Sequence, residues 1–400
     1  MTRLMNDSLR GLPTSTLIAA VVAAGCSTAR PSPDPAPGGA SVSVPAAGRT
    51  LKDAYAGKFM VGAALNEAQY TEKDARGAAL VKAQFNTITS ENILKWENVH
   101  PRLGEYDFSS ADRYVAFGER NGMFIVGHTL LWHQQTPRWV FQDAQGSRVS
   151  RDTLLARLRD HIHTVVGRYK GRIKGWDVVN EAIDEDGTLR RTPWLEIIGP
   201  DYIEKAFQWA HEADPSAELY YNDYSVENAP KRNGVVRLVR DLQAKGVRIT
   251  GVGLQGHNRV EWPSVAQQDS TIAAFGELGM KVMITELDID VLPRVTRGPT
   301  ADVSARAEAR AGLDPYKAGL PDSVQQTLAK RYGELFAVYL KHRNTISRVT
   351  FWGVADGDSW LNNWPVQGRT SYPLLFDRAG LPKPAFDAVI RAATQPAFVP

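Results

Sequence analysis

The chain has a single cysteine, Cys26, in 400 residues, so it can form no internal disulfide and no thiolate cluster for a structural zinc. It also lacks a long apolar run. The stretch Leu17–Ala24 falls short of the roughly 20 apolar residues that span a bilayer. Nor is there a long block of one charge: 47 basic and 44 acidic residues leave a net charge of +3, which supplies no phosphate-binding stripe and argues against a nucleic-acid partner. What is present is 43% apolar residues with 10 Trp, the composition of a globular chain with an aromatic bias, which excludes disorder and fibrous repeats. Stability must come from the core.

Position gives the lone cysteine its interest. Arg3 and Arg10 precede the apolar Leu17–Ala24 run, which ends in small residues, so residues 1–25 read as a secretory signal peptide. Ala23-Ala-Gly-Cys26-Ser27 resembles the lipobox of bacterial lipoproteins, in which the cysteine is acylated and becomes the mature N-terminus. Ala23 departs from that pattern, standing where a larger aliphatic residue is usual. An ordinary signal-peptidase site nearby is the alternative. Residues 26–49 are almost wholly Pro, Ala, Gly and Ser, with no aromatic residue, and read as a semi-extended linker. Localisation is thus expected outside the cytoplasm, on the envelope or secreted, and removing residues 1–25 leaves a net charge of +2.

From residue 50 to about residue 396 short apolar runs alternate with longer amphipathic ones. The strands expected are Phe59–Ala64, Thr87–Ser90, Met123–His128, Ile173–Val179, Glu218–Asn222, Ile249–Gln255, Val282–Glu286 and Arg348–Gly353. The helices expected are Ala75–Gln84, Ala111–Asn121, Asp152–Tyr169, Tyr202–Ala213, Gly234–Lys245, Val265–Leu278, Val324–His342 and Pro384–Ala393. Eight such units match an α/β fold, a closed (β/α)8 TIM barrel forming one domain. An open doubly wound sheet is the competing architecture, but no G-x-G-x-x-G follows the first strand. The barrel takes everything after the linker, so no separate binding module is expected, and the chain is expected to be a monomer.

In a parallel barrel the loops after the strands build the active face. Here the strand ends carry carboxylates, amides, imidazoles and indoles, and Glu181 and Glu286 each close a strongly apolar strand, the fourth and the seventh. In a closed barrel both side chains can reach one cleft. Paired carboxylates without a metal cluster are the apparatus of glycoside hydrolysis, and a tryptophan-rich mouth suits the apolar faces of sugar rings. No cofactor or metal is expected.

Trp176-Asp-Val-Val-Asn-Glu181, Ile284-Thr-Glu-Leu-Asp288, Ser90-Glu-Asn-Ile-Leu-Lys-Trp96 and Gly127-His-Thr-Leu-Leu-Trp-His133 resemble the signatures of glycoside hydrolase family 10, the retaining endo-β-1,4-xylanases. The similarity runs from about Leu51 to about Ala393 and includes Tyr221-Asn-Asp-Tyr224 and Lys383-Pro-Ala-Phe386. The resemblance implies Glu181 as acid/base, Glu286 as nucleophile, His257 as the donor to Glu286, Asp288 as the acid behind it and Asn180 as the amide on the sugar 2-hydroxyl. It further implies substrate contacts at Glu91, Asn92, Lys95, His128, Trp132, Gln135, Asn222, Gln255, Trp352 and Trp360, with xylan and xylo-oligosaccharides as partners.

Two carboxylates about 5–5.5 Å apart do not both ionise readily, so His257 should keep Glu286 anionic and leave the proton on Glu181. The His161-x-His163 pair lies in a helical stretch, where a two-residue step puts the rings on different faces and argues against a metal. His100, His211 and His342 read as surface or loop histidines. Residues 292–322 form an insertion after the seventh strand, either shaping the cleft or a solvated flap. A binding protein that has lost catalysis and a β-glycanase for another backbone remain as alternative functions.

Overall fold

The computed structural model describes residues 50–295, 301–302, 304, 306–308 and 312–394. The signal segment, Cys26, the linker and part of the insertion lie outside these residues. Among the described residues nine strands form in chain order: β1 Met60–Leu65, β2 Thr87–Ser90, β3 Phe124–Leu131, β4 Gly175–Asn180, β5 Glu218–Asp223, β6 Gly251–Leu254, β7 His257–Arg259, β8 Lys281–Asp290 and β9 Ile346–Phe351. Every pairing is parallel. Neighbours run from β6 back to β1, then to β9 and β8, and β6 pairs with β8, so eight strands close on themselves and β7 is an extra strip laid against the end of β8. This is the expected TIM barrel.

The strands form where apolar residues are concentrated, and close packing dictates the small ones. A Cβ added at Gly127 would stand 2.1 Å from the Trp176 ring across the β3–β4 pair, so only glycine admits that fully buried indole. Helices on the outer face start where side chains cap them: Asp74 accepts from Gly77 N ahead of Ala75–Gln84, and Ser264 and Gln267 form a capping box ahead of Val265–Gly276. Among the described residues, no helix is long and apolar enough to cross a membrane.

Differences from the expected elements concentrate at their ends. The third strand runs on to Leu131 and the seventh to Asp290, past the polar residues taken as their stops. At the mouth of a barrel, polar side chains face the cleft while the backbone ladder continues, so polarity does not end the strand. The helix expected at Gly234–Lys245 begins at Ala229, because Pro230 occupies its first turn, where a missing N–H costs nothing. His100 is not a surface residue. It is buried, with its ring stacked on Tyr106 at 3.8 Å and its Nδ1 3.3 Å from Nδ1 of His161. The turn Trp96–Val99 packs on helix Arg151–Arg168, and burial pushes the His100 imidazole down to about 4. His161 and His163 do fall on different faces: the first stacks on Trp96 at 3.7 Å, the second lies 3.2 Å from Glu212.

Candidate active site

Glu181 follows the last residue of β4, and Glu286 lies within β8, held there by Glu286 N donating to Gln255 O at 2.7 Å. Both carboxylates are buried at the mouth of the barrel, in one cleft with Lys95, His128, Trp132, Asn180, Gln255, His257, Trp352, Trp360 and Ala301. A chain of amides joins them. Asn180 Nδ2 donates to Glu181 Oε1 (3.2 Å), while Asn222 Nδ2 donates both to Asn180 Oδ1 (2.9 Å) and to Glu286 Oε1 (2.9 Å). Thr285 Oγ1 donates to Asn222 Oδ1 at 2.6 Å, which fixes the amide orientation.

The two carboxyl groups differ electrostatically. Burial is the main force raising Glu181, the charge of Asp223 adds to it, and that of Glu286 adds less; hydrogen bonds from Gln255 Nε2 (2.9 Å) and Trp132 Nε1 (2.8 Å) oppose it. The result is a carboxyl pushed up to about 7. Burial would raise Glu286 as well, but the His257 hydrogen bond, the nearby imidazoles and Asn222 outweigh it and hold Glu286 below its ordinary value. The two shifts run in opposite directions, and for Glu181 burial and Asp223 come ahead of repulsion from Glu286.

His257 lies between two carboxylates, Nε2 3.1 Å from Glu286 Oε2 and Nδ1 3.0 Å from Asp288 Oδ2. Burial disfavours its charge, yet Asp288 and Glu286 overcome this and raise it to about 10, so it is a cation at neutral pH. Glu286 and Asp288, two apart on a strand, share a face as alternation requires. Asp288 also accepts from Trp360 Nε1 at 2.7 Å, which pins that indole, and Trp360 stacks on Trp364 at 4.4 Å.

Lys95, buried, donates to Asn92 Oδ1 (2.9 Å) and Gln135 Oε1 (2.8 Å). Glu91, Asn92 and Gln135 thus cluster around Lys95, a step out from the two glutamates. Burial lowers the Lys95 ammonium, and the charges of Glu286, Glu91 and Glu181 work against that. One expected substrate contact lies behind the cleft surface: Asn222 is buried and acts on Glu286, while Asp288, expected as the acid behind His257, is buried against His257 and Trp360.

Several participants were not singled out from sequence. Asp177 lies 2.9 Å from His128 Nδ1 and orients that ring, and Thr285, Asp223 and Tyr221 surround the glutamates. The available signal was a carboxylate inside an otherwise apolar strand, which must have a partner. In the 292–322 insertion, Ala301 lines the cleft, and Asp302 Oδ1 accepts from Gln134 Nε2 at 3.0 Å while its carbonyl accepts from Trp364 Nε1 at 3.2 Å.

Known proteins share this architecture. A family model for glycosyl hydrolase family 10 matches residues 50–392. Endo-1,4-beta-xylanase A of Xylanibacter ruminicola is 45% identical over 342 residues, covering 86% of this chain and 93% of its own. A beta-1,4-xylanase of Dictyoglomus thermophilum is 42% identical, covering 86% and 90%. Among solved structures, a GH10 endoxylanase from a sugarcane soil metagenome superposes with TM-score 0.83 at 48% identity, covering 85% of this chain and 99% of its own. Xylanase XynB of Paenibacillus barcinonensis gives 0.77 at 39% identity, covering 88% and 99%. The chain belongs to glycosyl hydrolase family 10.

Proposed function

We propose that this chain is an endo-1,4-β-xylanase that cleaves internal xylosidic bonds with retention, Glu181 serving as acid/base and Glu286 as nucleophile. The observation that carries the reading is the pair of buried glutamates in one cleft with opposite shifts, one raised to about 7 and the other lowered. A Glu286 oxygen attacks the anomeric carbon while Glu181 gives its proton to the departing glycosidic oxygen, leaving a glycosyl ester on Glu286. Glu181, now a carboxylate, takes a proton from water, the hydroxide attacks the same carbon, and Glu286 leaves as its anion. Asn180, held by Asn222 and beside Glu181, takes the sugar 2-hydroxyl in this reading. His128, Trp132, Gln255, Trp352 and Trp360 surround the cleaved sugar, and Glu91, Asn92, Lys95 and Gln135 take the next one.

The test is proton NMR of the first product from xylohexaose, with Glu286→Ala as control. The expected outcome is a β-anomer first and activity lost in the variant; an α-anomer first, or a variant as active as wild type, sinks the assignment. Reducing-sugar release from mixed β-glucan exceeding that from xylan would move the substrate elsewhere.

Residues 1–25 are read as a signal peptide and Cys26 as the lipidated N-terminus, with residues 26–49 as the linker between that terminus and the catalytic domain (residues 50–396). Mass spectrometry of the mature N-terminus decides: an acylated Cys26 supports the anchor, and an unmodified terminus at another residue refutes it.

A further inference from the structure

Glu181 has φ 58°, in the left-handed region that is disfavoured for any residue but glycine, so its surroundings must hold it there. Its N–H donates to Asn222 O at 2.9 Å, and Arg190 Nε donates to its carbonyl at 2.9 Å. The next two N–H groups, of Ala182 and Ile183, both donate to the Tyr221 hydroxyl at 3.0 Å. That hydroxyl donates in turn to Asp223 Oδ2. Asp223 is fully buried, and its other oxygen takes the Tyr224 N–H at 2.9 Å and the Lys231 ammonium at 3.0 Å. Lys231 is itself buried, 3.2 Å from Glu185 and 3.7 Å from the centre of the Tyr224 ring. Neither Asp223 nor Lys231 lines the cleft, and the reaction steps above use neither.

Asp223 is therefore tied to Glu181 in two ways. One is mechanical, through Tyr221. The other is electrostatic: the strands pair so that Asn180 meets Asn222, placing the residues that follow each of them side by side in a region from which water is largely excluded and charge is poorly screened. The charged and titratable groups around Glu181 are Glu286 from β8, His257 from β7, His128 from β3, Lys95 from the loop after β2, Arg190 from the loop after β4, Tyr224 from the loop after β5 and Asp223 with its counter-ion Lys231. Among the carboxylates, Asp223 acts on Glu181 more strongly than Glu286 does.

We propose that Asp223 is a positioning residue for the acid/base, fixing the Glu181 backbone through Tyr221 and presenting to Glu181 a negative charge anchored by Lys231. It rests on the acid/base assignment given above. The experiment is the pH dependence of kcat/KM on xylohexaose for the wild type and for Asp223→Asn, Asp223→Glu and Tyr221→Phe, with thermal unfolding run alongside. Asp223→Asn removes the negative charge and leaves the Lys231 ammonium with Glu185 as its carboxylate partner; losing a negative charge near Glu181 favours the Glu181 anion, so the alkaline limb should move down by about one pH unit. Asp223→Glu keeps the charge, so the limb should stay while kcat falls. Tyr221→Phe frees the two N–H groups without changing the charge, so kcat should fall about tenfold or more with the limb in place.

An alkaline limb that coincides in Asp223→Asn and wild type overturns the proposal. If Asp223→Asn does not fold, a shifted limb in Asp223→Glu or an undiminished kcat in Tyr221→Phe overturns it instead. Glu181→Ala, assayed on an aryl xyloside whose leaving group needs no proton, separates the two readings. If it keeps the alkaline limb, the assignment of Glu181 fails and takes the role of Asp223 with it; if it loses the limb while Asp223→Asn leaves it unmoved, only the role of Asp223 fails.

Discussion

At the scale of single residues, function turns on one proton. The proposed mechanism needs Glu286 ionised and Glu181 protonated, so kcat/KM should be bell-shaped in pH. The acid limb follows Glu286, held below the ordinary carboxylate value, and the alkaline limb follows Glu181, near pH 7. Trp132 Nε1 donates to Glu181 and favours its anion, so Trp132→Phe should raise the alkaline limb, opposite in sign to the loss of Asp223. An unchanged or lowered limb in Trp132→Phe, read from the same kcat/KM profile, would show that the indole does not act through that bond. The glutamates were legible in the sequence because each closes an apolar strand in a recognisable motif. The balance of forces on them was not, because it depends on burial and on Asp223 across a strand boundary, neither of which spacing reveals.

At the scale of elements, the loops after β3, β8 and β9 meet over the cleft. Asp302 joins all three, accepting from Gln134 Nε2 with its carboxylate and from Trp364 Nε1 with its carbonyl, while Trp364 stacks on Trp360 at the cleft wall. The sequence marked this insertion only by its length, and left open whether it shapes the cleft or stands free as a solvated flap. Helical periodicity and strand alternation carry no information about a segment that is neither. The contacts of Ala301 and Asp302 favour the first. Asp302→Ala removes a charge-assisted hydrogen bond that holds the cleft wall, worth about 1.5 kcal/mol. We expect the ratio of kcat/KM on branched to linear xylo-oligosaccharides to rise severalfold, with Gln134→Ala showing the same trend through the other partner. Identical ratios in wild type and both variants would leave the segment without a role in selecting substrate.

At the scale of the whole molecule, the barrel must close and its last helix must be fastened. Closure comes from the β1–β9 pairing, and Tyr55 near the start of the domain donates to Val389 O in helix Pro384–Thr394 at 2.7 Å. The fastening is charged. Lys383, immediately before that helix, is buried with Asp356; its ammonium donates to both Asp356 oxygens (3.2 and 2.8 Å) and to the carbonyls of Tyr372 and Leu374 (2.8 Å each). Asp356 in turn accepts from Leu374 N and opens the loop that carries Asp358 and Trp360 to the active face. The sequence displayed Lys383 within a family motif but gave it no task, since its partner lies 27 residues away. Even with Lys383 present, burial raises Asp356 to about 6. Removing the cation leaves a buried carboxylate with no counter-charge, so Lys383→Met should cost about 3–5 kcal/mol in urea unfolding and should worsen as pH rises above the Asp356 value. Asp356→Asn in the same chain removes the bare charge and should recover part of that loss, and coupling between the two changes is the signature of the pair. Because Trp360 rides on this loop, KM should rise in the single variant before the fold is lost. A Lys383→Met chain within about 1 kcal/mol of wild type would mean that the helix is held by its apolar face alone.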